Sequence, residues 1–195
     1  MTAKNPWTVL SRATVYENRW IRVDHHEVLT PRATPGIYGT IHFKAHAVGV
    51  VPVFEDGTTL LVGQHRFPFD AYSWEIPEGG AHEDDLQAAC ARELAEETGF
   101  SARRWEKILE MDLSNSTTDE RATAFLAWDL VPGEAAPEET EEIAVRRVPF
   151  WDSVAMVERG EIRDAISCAA LLRVAGMAWS RRLPGPLSAV LAPER

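Results

Sequence analysis

The sequence predicts an α+β fold, and three observations carry that class. Short strand-like runs fill the N-terminal part of the chain. A single amphipathic helical pattern, from about Asp84 or Asp85 to Thr98, interrupts them, and more strand-like runs follow it. The tail then changes to helical periodicity. Strands thus flank the helix in sequence on both sides, the arrangement of a mixed α and β domain.

Each element can be justified in order. Between Ala13 and Lys44, Trp20 to Val23 and Ile37 to Phe43 mix apolar and polar residues around the turn-forming cluster Thr30 to Gly36, which reads as an N-terminal antiparallel sheet. Ala47 to Phe54 and Thr59 to Gly63 are rich in Val and Leu, and the Glu55-Asp56-Gly57 turn between them has hairpin chemistry. Trp74 to Pro77 is a short strand running into Glu78-Gly79-Gly80, where glycine permits a sharp turn or a close approach. In the helix, Leu86, Cys90 and Leu94 give one apolar face and Gly99 supplies the stop. Trp105 to Met111, Ala122 to Leu130 and Ile143 to Phe150 read as strands, with the Pro- and Glu-rich loop Pro132 to Glu142 among them. Two helices close the chain: Trp151 to Glu158, capped by Asp152 or Ser153, and roughly Ile162 to Arg182, before Pro184 and Pro186.

Bulk properties narrow the function. With 195 residues, the expected organisation is one catalytic domain with an extension. The net charge of -10 argues against a nucleic-acid surface held by phosphate contacts, so a small ligand or a protein partner is expected. No uninterrupted apolar run approaches the ~18 residues that span a bilayer, and Met1 to Leu10 lacks a signal peptide's apolar core. Cys90 and Cys168 show no metal-ligand spacing and sit in apolar, alanine-rich stretches, so both are expected buried and reduced, in a cytoplasmic protein with no membrane contact.

The chemistry concentrates on the central helix. At 3.6 residues per turn, Glu93 and Glu97 project from one face with Glu96 beside them. Like charges at these spacings destabilise a helix, more so when partly buried, and a bound divalent cation removes that penalty. An all-oxygen donor set without a Cys or His cluster favours Mg2+, with Mn2+ as a substitute, over zinc. The bland alternative is a solvated acidic face with Arg92 as an ordinary ion-pair partner.

The string Arg92-Glu93-Leu94-Ala95-Glu96-Glu97-Thr98-Gly99-Phe100, preceded by Gly79-Gly80, resembles the Nudix box, Gly-x5-Glu-x7-Arg-Glu-U-x-Glu-Glu-x-Gly-U. Its second half matches at every position. In the first half Asp84 stands where the box has Glu, and Gly79 lies one residue too close, so either Glu83 or Asp84 takes the place of the first glutamate. The resemblance implies a Nudix-type α/β/α sandwich with a mixed central sheet. It also implies Glu93 and Glu97 as direct metal ligands, Glu96 binding or bridging a further ion, Arg92 orienting the carboxylates, and the backbone carbonyl of Glu78 completing the shell.

Other segments resemble the ADP-ribose and nucleoside diphosphate sugar pyrophosphatase branch of that family: Gln64-His65-Arg66, Trp74-Glu75-Ile76-Pro77, and the helix entry from Gly160 to Leu172. By this resemblance Arg66 clamps phosphate, against an ordinary ion pair. The loop Glu138-Glu139-Thr140-Glu141-Glu142 supplies the general base, with Glu139 the best match and Glu138, Glu141 or Glu142 open alternatives. Residues 1–45 would form an N-terminal β extension for homodimerisation and the substrate pocket, and residues 46–195 the catalytic domain. Trp20, Tyr38 and Phe43 read as core or dimer contacts ahead of base stacking. The expected reaction is Mg2+-dependent hydrolysis of the diphosphate in ADP-ribose or a related nucleoside diphosphate sugar, giving a nucleotide and a sugar phosphate. Alternatives are FAD, NADH, a dinucleoside polyphosphate or GDP-mannose as substrate, or a nucleotide-binding Nudix module without turnover.

Overall fold

The computed structural model describes residues 4–82, 84–136 and 142–193. They divide into two compact units, Met1–His46 with Met111–Arg121, and Ala47–Glu110 with Ala122–Arg195.

The first unit is built on an antiparallel sheet of β1 (Thr8–Glu17), β2 (Ile21–Leu29) and β3 (Pro35–Phe43), in that spatial order. The Thr30 to Gly36 cluster does form a turn, closed by Thr30 N–H on the Thr34 carbonyl at 2.9 Å, with Ala33 at φ 60. β1 is exposed along its whole length. Asp24 on β2 is fully buried, and its carboxylate takes Thr14 Oγ1 at 2.7 Å, Arg22 Nε at 3.1 Å, His42 Nε2 at 3.0 Å and a further bond from Arg12. The three aromatic residues read as core or dimer contacts are not core: Trp20 is exposed beneath the Arg19 guanidinium, Phe43 is exposed, and Tyr38 meets Trp7 edge-on while its hydroxyl donates to the Ser116 carbonyl.

The second unit contains two sheets. One has the order β7 (Glu78–Ala81), β4 (His46–Pro52), β9 (Arg121–Pro132), β8 (Phe100–Asp112), and β4 runs parallel to β9 from Ala47↔Ala122 to Pro52↔Ala127. The other has the order β10 (Ala144–Pro149), β5 (Thr58–Arg66), β6 (Ala71–Glu75), all antiparallel. Val48 to Val53 and Ala122 to Ala127 are nearly all buried, as continuous apolar runs at the centre of a mixed sheet should be. The α+β class, the mixed sheet and the N-terminal antiparallel sheet therefore stand as expected.

Helix α1 (Leu86–Thr98) lays Ala89, Cys90 and Leu94 against Val48, Val50, Phe125 and Ala127, all buried. Full burial of a side chain such as Leu94 contributes about 1.5–3 kcal/mol. Asp85 is its N-cap, accepting from the Ala88 N–H at 3.0 Å, and Gly99 ends it at φ 75. Helices α2 (Phe150–Glu158), α3 (Ala165–Trp179) and α4 (Gly185–Val190) follow. Among the described residues no helix is long and apolar enough to cross a membrane.

Several local expectations are corrected. The turn after β4 exists, with Gly57 at φ 78, but only Val53 and Thr59 bridge across it before β4 and β5 part into different sheets. Pro149, not Asp152 or Ser153, is the N-cap of α2, and the Ser153 hydroxyl donates instead to the Phe150 carbonyl at 2.6 Å. The last helical stretch begins only after Asp164 and stops at Trp179, and α4 starts across the two prolines because Pro186 occupies its first turn, where no N–H is required. Cys90 is buried but Cys168 is only half-buried; both thiols are free.

Candidate active site

The site is assembled where β6, β7 and α1 meet. Glu78-Gly79-Gly80, where the sequence allowed a sharp turn, lies instead in strand β7, and the backbone N–H of Glu78 donates to Glu97 Oε2 at 3.0 Å, tying this strand to the last part of the helix. Glu97 is 3% exposed, although nothing in burial favours an ionised carboxylate. Glu93 lies over Gly79 so closely that a Cβ there would fall inside its carboxylate. Gly79 is therefore required for close approach. Arg92 binds Glu93 Oε1 at 2.9 Å and Glu96 Oε2 at 2.9 Å, and its Nη2 donates to the Gly80 carbonyl at 3.2 Å, so it links the helix carboxylates to β7.

This donor set fits a hard divalent cation. Glu93, Glu96 and Glu97 share one turn of α1 beside the backbone of Glu78, and all their donor atoms are oxygen. The nearby Cys90 offers no soft ligand, because burial and the neighbouring Glu93 and Glu97 charges push its thiol well above the usual range. Glu93, Glu96 and Glu97 place three carboxylates within one helical turn, an accumulation of like charge that a bound dication would offset.

A second group adjoins the first. Arg66, at the end of β5, sets its Nε against both oxygens of Glu75, at 2.9 and 3.1 Å, adds a third bond through Nη2, and reaches Glu78 Oε1 at 3.2 Å. Burial opposes charge on this guanidinium, but the bonds to Glu75 and the carboxylates of Glu78 and Asp164 outweigh it and keep Arg66 protonated. Burial, then Asp164 and Glu75, push the Glu78 carboxyl well above the usual carboxylate range despite the pull of Arg66. Asp164 is the N-cap of α3, accepting from the Ser167 N–H at 2.7 Å. The Ser167 hydroxyl in turn accepts from the Ile76 N–H at 2.9 Å, which fixes the start of α3 between Glu75 and Glu78.

The structure thus brings Arg92, Glu93, Glu96, Glu97, Glu78 and Arg66 into one region. Glu139, Glu138 and Glu141 lie outside the described residues, as does Glu83; Glu142 is exposed, and Asp84 is an exposed bend residue before α1. Ala136, the last described residue before the segment that holds Glu139, donates its N–H to the Glu96 carbonyl at 2.9 Å. Glu75, Asp164 and the Glu78 side chain were not singled out from sequence. The first two stand inside quoted motifs, Trp-Glu-x-Pro and Gly-x-Ile-x-Asp-Ala, so the signal existed, but only the fold shows that they meet.

A search of family models matches the NUDIX domain over residues 44–168, more than half of the chain. The chain belongs to the Nudix family. Residues 7–41 of this Nudix chain also match the nucleoside diphosphate sugar hydrolase N-terminal domain. It is similar to the ADP-ribose pyrophosphatase of Mycobacterium tuberculosis, 29% identical over 75% of this chain and 72% of the relative. It is also similar to the CMP-5'-(N-acetyl-N-hydroxy-3-aminopropyl)phosphonate hydrolase of Streptomyces rubellomurinus, 27% identical over 92% of this chain and 87% of the relative. Among solved structures, an ADP compounds hydrolase superposes with a TM-score of 0.83 at 21% identity, covering 94% of this chain and 100% of that one, a likeness of fold. The chain is accordingly a hydrolase of the Nudix pyrophosphatase group.

Proposed function

We propose that this Nudix enzyme hydrolyses, with Mg2+, the diphosphate linkage of ADP-ribose or a related nucleoside diphosphate sugar, releasing a nucleotide and a sugar phosphate. The observation that carries this reading is the seating of Glu93 over Gly79 and of Glu97 on the Glu78 N–H, which gathers oxygen donors from helix α1 and strand β7. The N-terminal match to nucleoside diphosphate sugar hydrolases supports the substrate class.

In this reading Glu93, Glu97 and the Glu78 carbonyl hold the ion, Glu96 adds a further donor, and Arg92 fixes the helix carboxylates. Bound there, Mg2+ supplies Lewis-acid stabilisation of charge on the diphosphate oxygens and lowers the pKa of water. Arg66 presents a planar guanidinium suited to a diphosphate. Glu139 takes the proton as water oxygen attacks one phosphorus; the P–O bond to the bridging oxygen breaks, and that oxygen leaves with the other phosphate.

Residues 1–45 serve as the dimerising extension and help form the pocket of a homodimer. The edge strand β1, which exposes Val9, Leu10, Val15 and Tyr16, supports that role because such an edge invites pairing. The two free thiols support a reducing, cytoplasmic setting.

A substrate panel with Mg2+ tests the proposal: ADP-ribose, GDP-mannose, FAD, NADH, diadenosine polyphosphates and a CMP-linked phosphonate, with products identified by mass. The highest kcat/KM is expected on ADP-ribose or another nucleoside diphosphate sugar. A preference for the CMP-linked compound would favour a second reading, supported by the nearly full-length alignment to the Streptomyces relative. Tight binding without product from any compound would mean a binding module and overturn both.

A further inference from the structure

We propose that Glu75, Glu78 and Asp164 form a second site for a hard divalent cation, built from residues outside the α1 carboxylates. The end of β6, the start of β7 and the N-cap of α3 bring one carboxylate oxygen from each within 4.8 Å of one another. Oxygens bound to one ion at about 2.0–2.6 Å lie up to roughly 4–5 Å apart, so this spread is one that a single ion closes.

The charges favour a dication. Arg66 is the cation bonded to this group, engaging Glu75 through two of its nitrogens and Glu78 through Oε1 at 3.2 Å. Even with Glu78 neutral, Glu75 and Asp164 against one guanidinium leave one negative charge, and with all three carboxyls ionised around an ion the excess is two. Independently of that charge count, the Glu78 side chain is only 9% exposed, and its Oε2 is buried without a hydrogen-bond partner among the described residues. A buried, unpartnered carboxylate oxygen is a costly arrangement that a ligand would relieve. Asp164 has one oxygen on the Ser167 N–H at 2.7 Å, leaving the other for an ion.

The donor set is again all oxygen, which selects Mg2+ or Mn2+ over softer ions. The new site adjoins the helix site through Glu78, whose N–H bonds Glu97 while its side chain faces Glu75 and Asp164. An ion there would compete with Arg66 for Glu75 and Glu78, releasing guanidinium N–H groups toward an anionic substrate. In that respect the inference rests on the proposed function; the site itself does not.

Mn2+ is the probe, with binding followed by the electron paramagnetic resonance signal of free Mn2+. A Glu93→Gln/Glu97→Gln variant removes the two principal helix carboxylates. It is expected to retain one bound Mn2+, and adding Asp164→Asn, which still caps α3, should weaken that ion at least tenfold. Loss of all Mn2+ binding in the double variant, or retention of the ion unaltered by Asp164→Asn, overturns the second site. Equal stoichiometry in wild type and double variant would instead sink the helix site and leave this one standing. If the double variant fails to fold by circular dichroism, Asp164→Asn in the wild-type background decides: one Mn2+ fewer supports the site, and unchanged stoichiometry and affinity contradict it.

Discussion

At Gly79 the absence of a side chain is what lets the Glu93 carboxylate settle on β7, since any Cβ would occupy the same space. Gly79→Ala should therefore leave the apolar face of α1 in place but displace Glu93, raising the Mg2+ concentration needed for half-maximal turnover by about 10–100-fold. An unchanged Mg2+ titration would show that Glu93 is not seated there. For the base, Glu139→Gln should lower kcat by about 10²–10⁴-fold while calorimetric Mn2+ affinity stays the same. Near-normal kcat would move the role to Glu138, Glu141 or Glu142. The residues of the α1 cluster were legible because an i, i+4 pair of glutamates must share a helix face whatever the fold. Glu75 and Asp164 were not, because they stand far apart in sequence and only the folded chain, through contacts such as the Ile76–Ser167 bond, brings their carboxylates together.

Among the elements, β2 carries the clearest pH dependence. Burial pushes the Asp24 carboxyl toward protonation, but bonds from Thr14, Arg22 and Arg12 outweigh it and hold the group well below the usual carboxylate range. With a folded-state pKa below the unfolded one, its stabilisation is complete above about pH 4 and is lost as pH falls toward the folded value. Amide exchange across β2, corrected for intrinsic rates, should show protection falling below about pH 4, and Asp24→Asn should be weaker at neutral pH and lose that slope. PH-independent protection in the wild type would contradict the assignment. Helix α1 was readable to its ends, since an Asp cap and a left-handed glycine are local devices. The turn after β4 was equally local, yet its strands enter separate sheets, and sheet membership depends on partners distant in sequence such as Ala122 to Ala127 and Ala144 to Pro149. Cys168 was misread as buried because helical periodicity alone does not say which face of α3 meets the core.

For the whole molecule, if residues 1–45 dimerise as proposed, sedimentation should give a dimer that a Leu10→Lys change on β1 weakens. A monomer at all concentrations would remove the proposed role of residues 1–45 without touching the helix chemistry. The most direct test of the central claim is steady-state hydrolysis of ADP-ribose by wild type and Glu97→Gln across a Mg2+ titration, with a chelator control. AMP and ribose phosphate are the expected products, with no turnover in the presence of the chelator. Glu97→Gln should lose roughly 10³-fold in turnover, about 4 kcal/mol of barrier, with the circular dichroism spectrum unchanged. Turnover that survives the chelator, or that Glu97→Gln leaves intact, would contradict the claim.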